Sequence, residues 1–418
     1  MNERTKRILL LISFILSAVL VALLIYWVFF SGPGGYEQVN INGTLVNVPT
    51  GELPNINGVI VNINRNTNQV VSANTNAYLP VIDEIAQGGL TLTPKVKDDE
   101  ADFATKSIDG EGLAYYNRLD GKFYRLDPET MTEYAMSDRQ FYSVRDVQWS
   151  PTKDRAILDY PDGSKIMYDF TNETQYTLPS QFSEVDFSRD GRELTVKYLD
   201  PEDESNNWLA VANADGTGLQ AVEPLSDEAD NFVVDTSPTG QIIGMYTEST
   251  GAEEQEIYMI GKYGENLKSV SVNGRGFESQ WSTDGQRILY SAHSSQTDYK
   301  PNLWVVDASG ESIGENKINL GINTTADKCT FSSASSVICA VPVNMPRGSG
   351  AFPELASSSP DVFYQIDLNS GQKSQIAIPT NEDGSGTFQA YNIFTDDSGQ
   401  YLYFTDRFTG QVRKVRLR

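Results

Sequence analysis

The stretch that decides the fold is WSTDGQRILYSAH (281–293), followed by NLWVVDASGE (302–311) and NKINL (316–320). It reads as four elements. A short strand ends in an aromatic residue and Ser. A polar Asp-Gly turn opens a second strand, a variable loop leads to a third, apolar strand, and an Asp/Gly/Ser turn leads to a fourth.

The same grammar returns along the chain. It opens with TKSIDGEGLAYYN (105–117), VQWSPTKDRAILDY (147–160), VDFSRDGRELTVKYL (185–199), VVDTSPTGQIIGMYTE (233–248), KCTFSSASSVICAV (328–341) and NIFTDDSGQYLYFTDR (392–407). Taking the Ser or Thr before each turn as a marker gives Ser107, Ser150, Ser188, Ser237, Ser282, Ser332 and Thr395, spaced 43, 38, 49, 45, 50 and 63 residues apart. Periods of this size belong to four-stranded propeller blades, with the excess placed in loops. One blade exposes two apolar faces and must stack on neighbours. The expectation is an all-β, seven-bladed β-propeller over residues 90–418, with six or eight blades as the alternatives. The seventh copy runs out at its third strand. LTLTPKV (90–96) reads as a fourth strand with no blade of its own, expected to complete the last blade and close the ring.

The turn F/W-S-x-D-G, an aliphatic or aromatic strand and then a W/Y-x-V-D-type strand resemble the WD-repeat-like blades of TolB-type propellers. They are also similar to the propeller domain of prolyl-oligopeptidase-type peptidases. WSTDGQRILYSAH with NLWVVDASG carries the resemblance best. It implies a fold and, by analogy, protein partners in a cell envelope. It names no site residues, because such blades carry structural residues. Two copies depart from the pattern. The 147–160 copy has Thr-Lys-Asp where Asp-Gly is usual, and the 328–341 copy lacks both Asp and Gly.

Ahead of the repeats, residues 8–30 (ILLLISFILSAVLVALLIYWVFF) carry no charge and are long enough to cross a bilayer. Arg4, Lys6 and Arg7 precede them, and no Lys or Arg follows closely, so the tail (1–7) is expected in the cytoplasm and the rest outside it, extracellular or periplasmic. A cleaved signal peptide would have a shorter apolar run. Residues 31–89 read as an Asn-rich stalk, with β-branched patches at 39–48 and 58–64 and a short helix at 77–89.

The formal net charge is −24; the first 30 residues are +2, so the remainder carries −26. Such a surface repels phosphate backbones, which excludes nucleic acid as a partner. One histidine, His293, and two cysteines rule out His-rich or Cys-rich metal centres. Cys329 and Cys339 fall on adjacent strands around SSASS (332–336). If Phe331 pairs with Val337 they are directly opposed, and a disulfide is expected outside the cytoplasm. The alternative is two buried thiols.

No catalytic set, cofactor loop or metal motif stands out. GESIG (310–314) matches a nucleophile string but lies in a turn between strands. NEDGSG (381–386) and DPEDESNN (200–207) are oxygen-rich without the spacing of an EF-hand. The largest insertion, PVNMPRGSGAFPELASSSP (342–360), offers Met345, Phe352 and Leu355 as partner contacts. The leading expectation is a membrane-anchored, non-enzymatic protein-interaction scaffold. The alternative is a binder of glycan or cell-wall polymer, with or without a carboxylate-dependent hydrolase activity.

Overall fold

The computed structural model describes residues 36–41, 44–49, 81–97 and 101–418. The tail, the apolar segment 8–30 and most of the stalk lie outside the described residues. Two compact units are separated between Asn76 and Ala77. In the first, Tyr36–Ile41 pairs antiparallel with Thr44–Pro49, with Val39 opposite Val46.

The second unit is a seven-bladed propeller. Six blades hold four successive antiparallel strands each, and the seventh, Ala390–Thr395, Tyr401–Asp406 and Val412–Arg416, holds three. First strands touch first strands: Cys329–Ser333 meets Ala390–Thr395, which meets Asp102–Lys106, which meets Asp146–Trp149. They therefore line the axis. Second strands such as Glu193–Tyr198 and Arg287–His293 are buried on both faces, whereas the fourth strands Thr132–Ala135 and Thr174–Thr177 are exposed throughout.

The stacking energy is apolar and local. Seven clusters occur among the described residues, one between each pair of neighbouring blades. One of them closes the ring by packing Tyr403 and Val412 of the last blade against Ala104, Leu113, Tyr115 and Leu126 of the first.

The repeated Ser has a mechanical role. Ser282 Oγ accepts from the Arg287 amide (2.9 Å) and donates to Asp284 (2.7 Å), while Gly285, at φ +69°, returns its amide to the Ser282 carbonyl (2.8 Å). In the 147–160 copy the left-handed position is filled by Lys153, at φ +61°. In the last blade the roles are swapped. Asp396, not Thr395, receives the Tyr401 amide (2.9 Å), and Ser398 donates to Asp396.

Two expectations are corrected. Residues 81–89 form bends, not a helix, because their amides are taken by strands elsewhere: Ala86 donates to Arg416 (2.8 Å) and Gly88 to Ile376 (2.7 Å). The 90–96 segment does not simply complete the last blade. Leu90–Leu92 runs parallel to Lys373–Thr380 as a fifth strand of the sixth blade. Only then does the chain cross to the seventh, where the Lys414 amide reaches Pro94 (3.1 Å) and the Val96 amide reaches Val412 (2.8 Å).

Candidate functional site

Because strands alternate in direction, the second-to-third and fourth-to-first connections of every blade emerge on one face, here called the upper face. The insertion at 343–360 lies there. It is an arm with defined backbone contacts to its neighbours. Gly348 and Gly350 donate to the carbonyls of Asp298 (2.9 Å) and Tyr299 (2.8 Å) in the fifth blade. Both acceptors are non-glycine residues in left-handed backbone, at φ +54° and +55°, at the end of the 3-10 turn Ser295–Thr297. On the other side Gln389, ahead of the seventh blade, donates to the Ala356 carbonyl (3.1 Å). The arm thus spans three blades.

His293 ends the strand Arg287–His293 rather than sitting in a loop, and its ring is clamped by two glycines. A Cβ on Gly350 would fall 2.4 Å from its Cγ, and one on Gly276 would fall 2.8 Å from its Cε1. Burial lowers the His293 pKa, against the pull of Glu253. Glu253 itself is held low by Ser295, which donates both its hydroxyl (2.6 Å) and its amide (2.9 Å).

The arm roofs a cavity of about 370 Å³. Its walls come from Glu278 of the fifth blade, Asp327 and Lys328 of the connection into the sixth, Met345 and Glu354 of the arm, and Gln389 and Arg407 of the seventh. Lys328 Nζ bridges both oxygens of Asp361 (2.6 and 2.7 Å), whose carboxyl also accepts the Ala390 amide (2.8 Å). Burial raises the Asp361 pKa, opposed by Lys328 and Arg407. Burial and the neighbouring Asp327 likewise raise Glu278. Of the expected contact residues, Met345 faces this cavity, while Phe352 (59%) and Leu355 (47%) are exposed on the arm.

A second group of acids lines the axis. Asp186 accepts from Gln148 (3.0 Å), the Thr236 amide (2.7 Å) and the Phe187 amide (2.9 Å). Asp235, beside it, has Ser279 as a donor (3.4 Å). Asp235 is half-buried. Burial first, and the Asp186 charge second, push it up to about 7. Among the described residues no group of three or more His, Cys, Asp or Glu is arranged to hold a metal. The oxygen-rich loops spend their carboxylates on themselves: Asp383 on Ser385 (2.6 Å), and Asp203 on Ser205 (2.6 Å). GESIG forms a single 3-10 turn at Gly310–Ser312.

No family model and no curated protein sequence matches the chain. Solved structures do. An oligogalacturonate lyase in complex with manganese is similar at 12% identity, with a TM-score of 0.53, covering 78% of this chain and 93% of that one. The likeness is one of fold. The β-propeller domain of Myceliophteria thermophila Cps50 (Swd1) gives 10% identity and a TM-score of 0.48, covering 78% of this chain and 100% of that one. TolB from Acinetobacter baumannii gives 12% and 0.40, covering 65% of this chain and 62% of that one.

Proposed function

We propose that this protein is a membrane-anchored interaction scaffold that presents its propeller outside the cytoplasm to a protein partner of the cell envelope or surface. One observation carries the reading. The 343–360 arm is held by two backbone hydrogen bonds to the fifth blade and a side-chain hydrogen bond from Gln389 ahead of the seventh, yet it leaves Phe352 and Leu355 exposed. A fixed segment with outward apolar anchors loses little entropy when a partner covers it. Residues 8–30 supply the anchor and the preceding basic residues its orientation.

A photo-crosslinking residue at Phe352 of the full chain, in its own membrane, tests this. The control is the same residue at Tyr263, which is 80% exposed on the opposite face. The expected result is one discrete protein captured from Phe352 and not from Tyr263. Polysaccharide retained in place of protein overturns the reading.

A second reading has its own support. Asp235, raised to about 7, and its neighbour Asp186, also raised by burial but accepting hydrogen bonds from Gln148 and the Thr236 amide, are two neighbouring carboxyls of the kind a carboxylate-dependent glycan hydrolase uses. Glycan turnover that survives in Phe352→Ser but is lost in Asp235→Asn would favour it.

A further inference from the structure

We propose that the cavity beneath the arm is a receptor for a cationic side chain, the ammonium of a lysine or the guanidinium of an arginine, carried by a polypeptide partner. The inference rests on the scaffold reading and gives its contact a chemistry.

The cations in the walls act on Asp361 rather than on the other acids there. Lys328 is committed to Asp361, at 2.6 and 2.7 Å to its two oxygens. Arg407 acts on the same carboxylate through space only, by its charge, and lies over the Tyr391 ring, 5.4 Å from its centroid. Glu278, Asp327 and Glu354 line the cavity with neither cation committed to them. The strand bearing Glu278 touches the turn bearing Asp327, so two like charges lie close together in the wall. A cation placed between them relieves that repulsion.

The second indication is independent of charge. Gln389 is 5% exposed and lines the cavity. Its Nε2 is spent on the Ala356 carbonyl, itself part of the wall, but its Oε1 has no hydrogen-bond partner. A buried carbonyl oxygen without a donor costs about 1–3 kcal/mol. A ligand N–H would satisfy it, and an anion or a carbonyl would not.

Size selects among cation carriers. At about 370 Å³ the cavity is near the small end of ligand pockets, room for one side chain rather than a run of polymer. Phe352 and Leu355 on the roof offer apolar surface to the rest of a polypeptide. By contrast, in the larger depression of about 560 Å³ on the rim of the third and fourth blades, two of the acids are held by tyrosines: Tyr246 donates to Glu228 (2.8 Å), and Tyr258 to Glu248 (2.9 Å).

The test uses the full chain in lipid nanodiscs. Nα-acetyl-lysine amide, Nα-acetyl-arginine amide and the uncharged Nα-acetyl-norleucine amide are titrated by saturation-transfer NMR. The lysine or arginine probe is expected to bind saturably and the norleucine probe not. The double variant Glu278→Gln, Asp327→Asn, with its melting temperature checked, is expected to weaken binding about tenfold, as for a lost charge-assisted bond. Asp383→Asn, in an exposed loop whose carboxylate is spent on Ser385, is expected to leave binding unchanged. Equal binding of norleucine, undiminished binding in the double variant, or no saturable binding overturns the inference. If crosslinking at Phe352 captures a protein while the probes fail, the scaffold stands and this pocket assignment falls. If the probes bind and no protein is captured, the polypeptide partner falls.

Discussion

At Asp235, burial and Asp186 together hold a carboxyl near pH 7 that would titrate near 3.8 in an unfolded chain. The folded state therefore binds that proton more tightly. The stability this contributes is complete below about pH 4 and is lost as pH rises towards 7, leaving a penalised carboxylate above it. Asp235→Asn keeps the shape and removes the charge. Melting curves from pH 4 to 8 should show the variant more stable at pH 8, by on the order of 1 kcal/mol or more, with the difference closing towards pH 4. Equal melting at pH 8 would contradict the burial of charge argued for this carboxyl. The sequence marks VVDTS (233–237) only as a first strand, because the Asp186 neighbour comes from another blade. Lys153 is different. Its turn visibly lacks the usual Gly, and the backbone there is left-handed all the same. The blade pattern overrides the local preference at a cost of about 1–2 kcal/mol.

The elements were readable wherever strand and turn chemistry agree. The Ser-x-Asp-Gly turn carries its own hydrogen bonds, so blade boundaries follow from sequence alone. In the sixth blade that chemistry is missing, and the first two strands are joined instead through Cys329 and Cys339. These residues are directly opposed, with Cα atoms 4.0 Å apart, buried, and bonded to each other. The bond clips a short loop, for which chain entropy suggests about 2–3 kcal/mol. Protein isolated from its source cells without reductant should show no free thiol after denaturation. The double variant Cys329→Ala, Cys339→Ala should melt lower by a corresponding amount. Two free thiols would count against both the bond and the proposed extracytoplasmic address. The arm was legible as an insertion, but its cavity was not. Glu278, Asp327, Gln389 and Arg407 are far apart in sequence and converge only when blades five to seven stack.

For the whole molecule the decisive question is how a three-stranded last blade avoids being a weak edge. Its neighbour shares a strand with it. Thr91, Thr93 and Val96 are fully buried, although they belong to a segment that precedes every blade. The first half of that segment pairs with the sixth blade, and the second half bonds to the seventh. Between them the Thr93 carbonyl accepts from Arg413 (2.9 Å), whose guanidinium lies 4.1 Å from the Phe388 ring centroid. Val96 then enters the cluster that joins the last blade to the first. Sequence suggested closure by one strand on one blade. Parallel pairing to the sixth carries no local signature, which is why the crossing was not foreseen. The physical consequence concerns cooperativity. Stacked repeats unfold as a unit only while each interface is intact. Val96→Asp places a charge in the closing interface without altering any blade's own hydrogen bonds, at a cost of several kcal/mol. If this segment holds the ring shut, denaturant unfolding of the full chain should shift to lower midpoint and broaden, with the seventh and first blades exchanging amide hydrogens well before the third and fourth. A uniform shift with unchanged steepness and uniform exchange would instead mean that the seven apolar interfaces suffice and the segment is only an attachment.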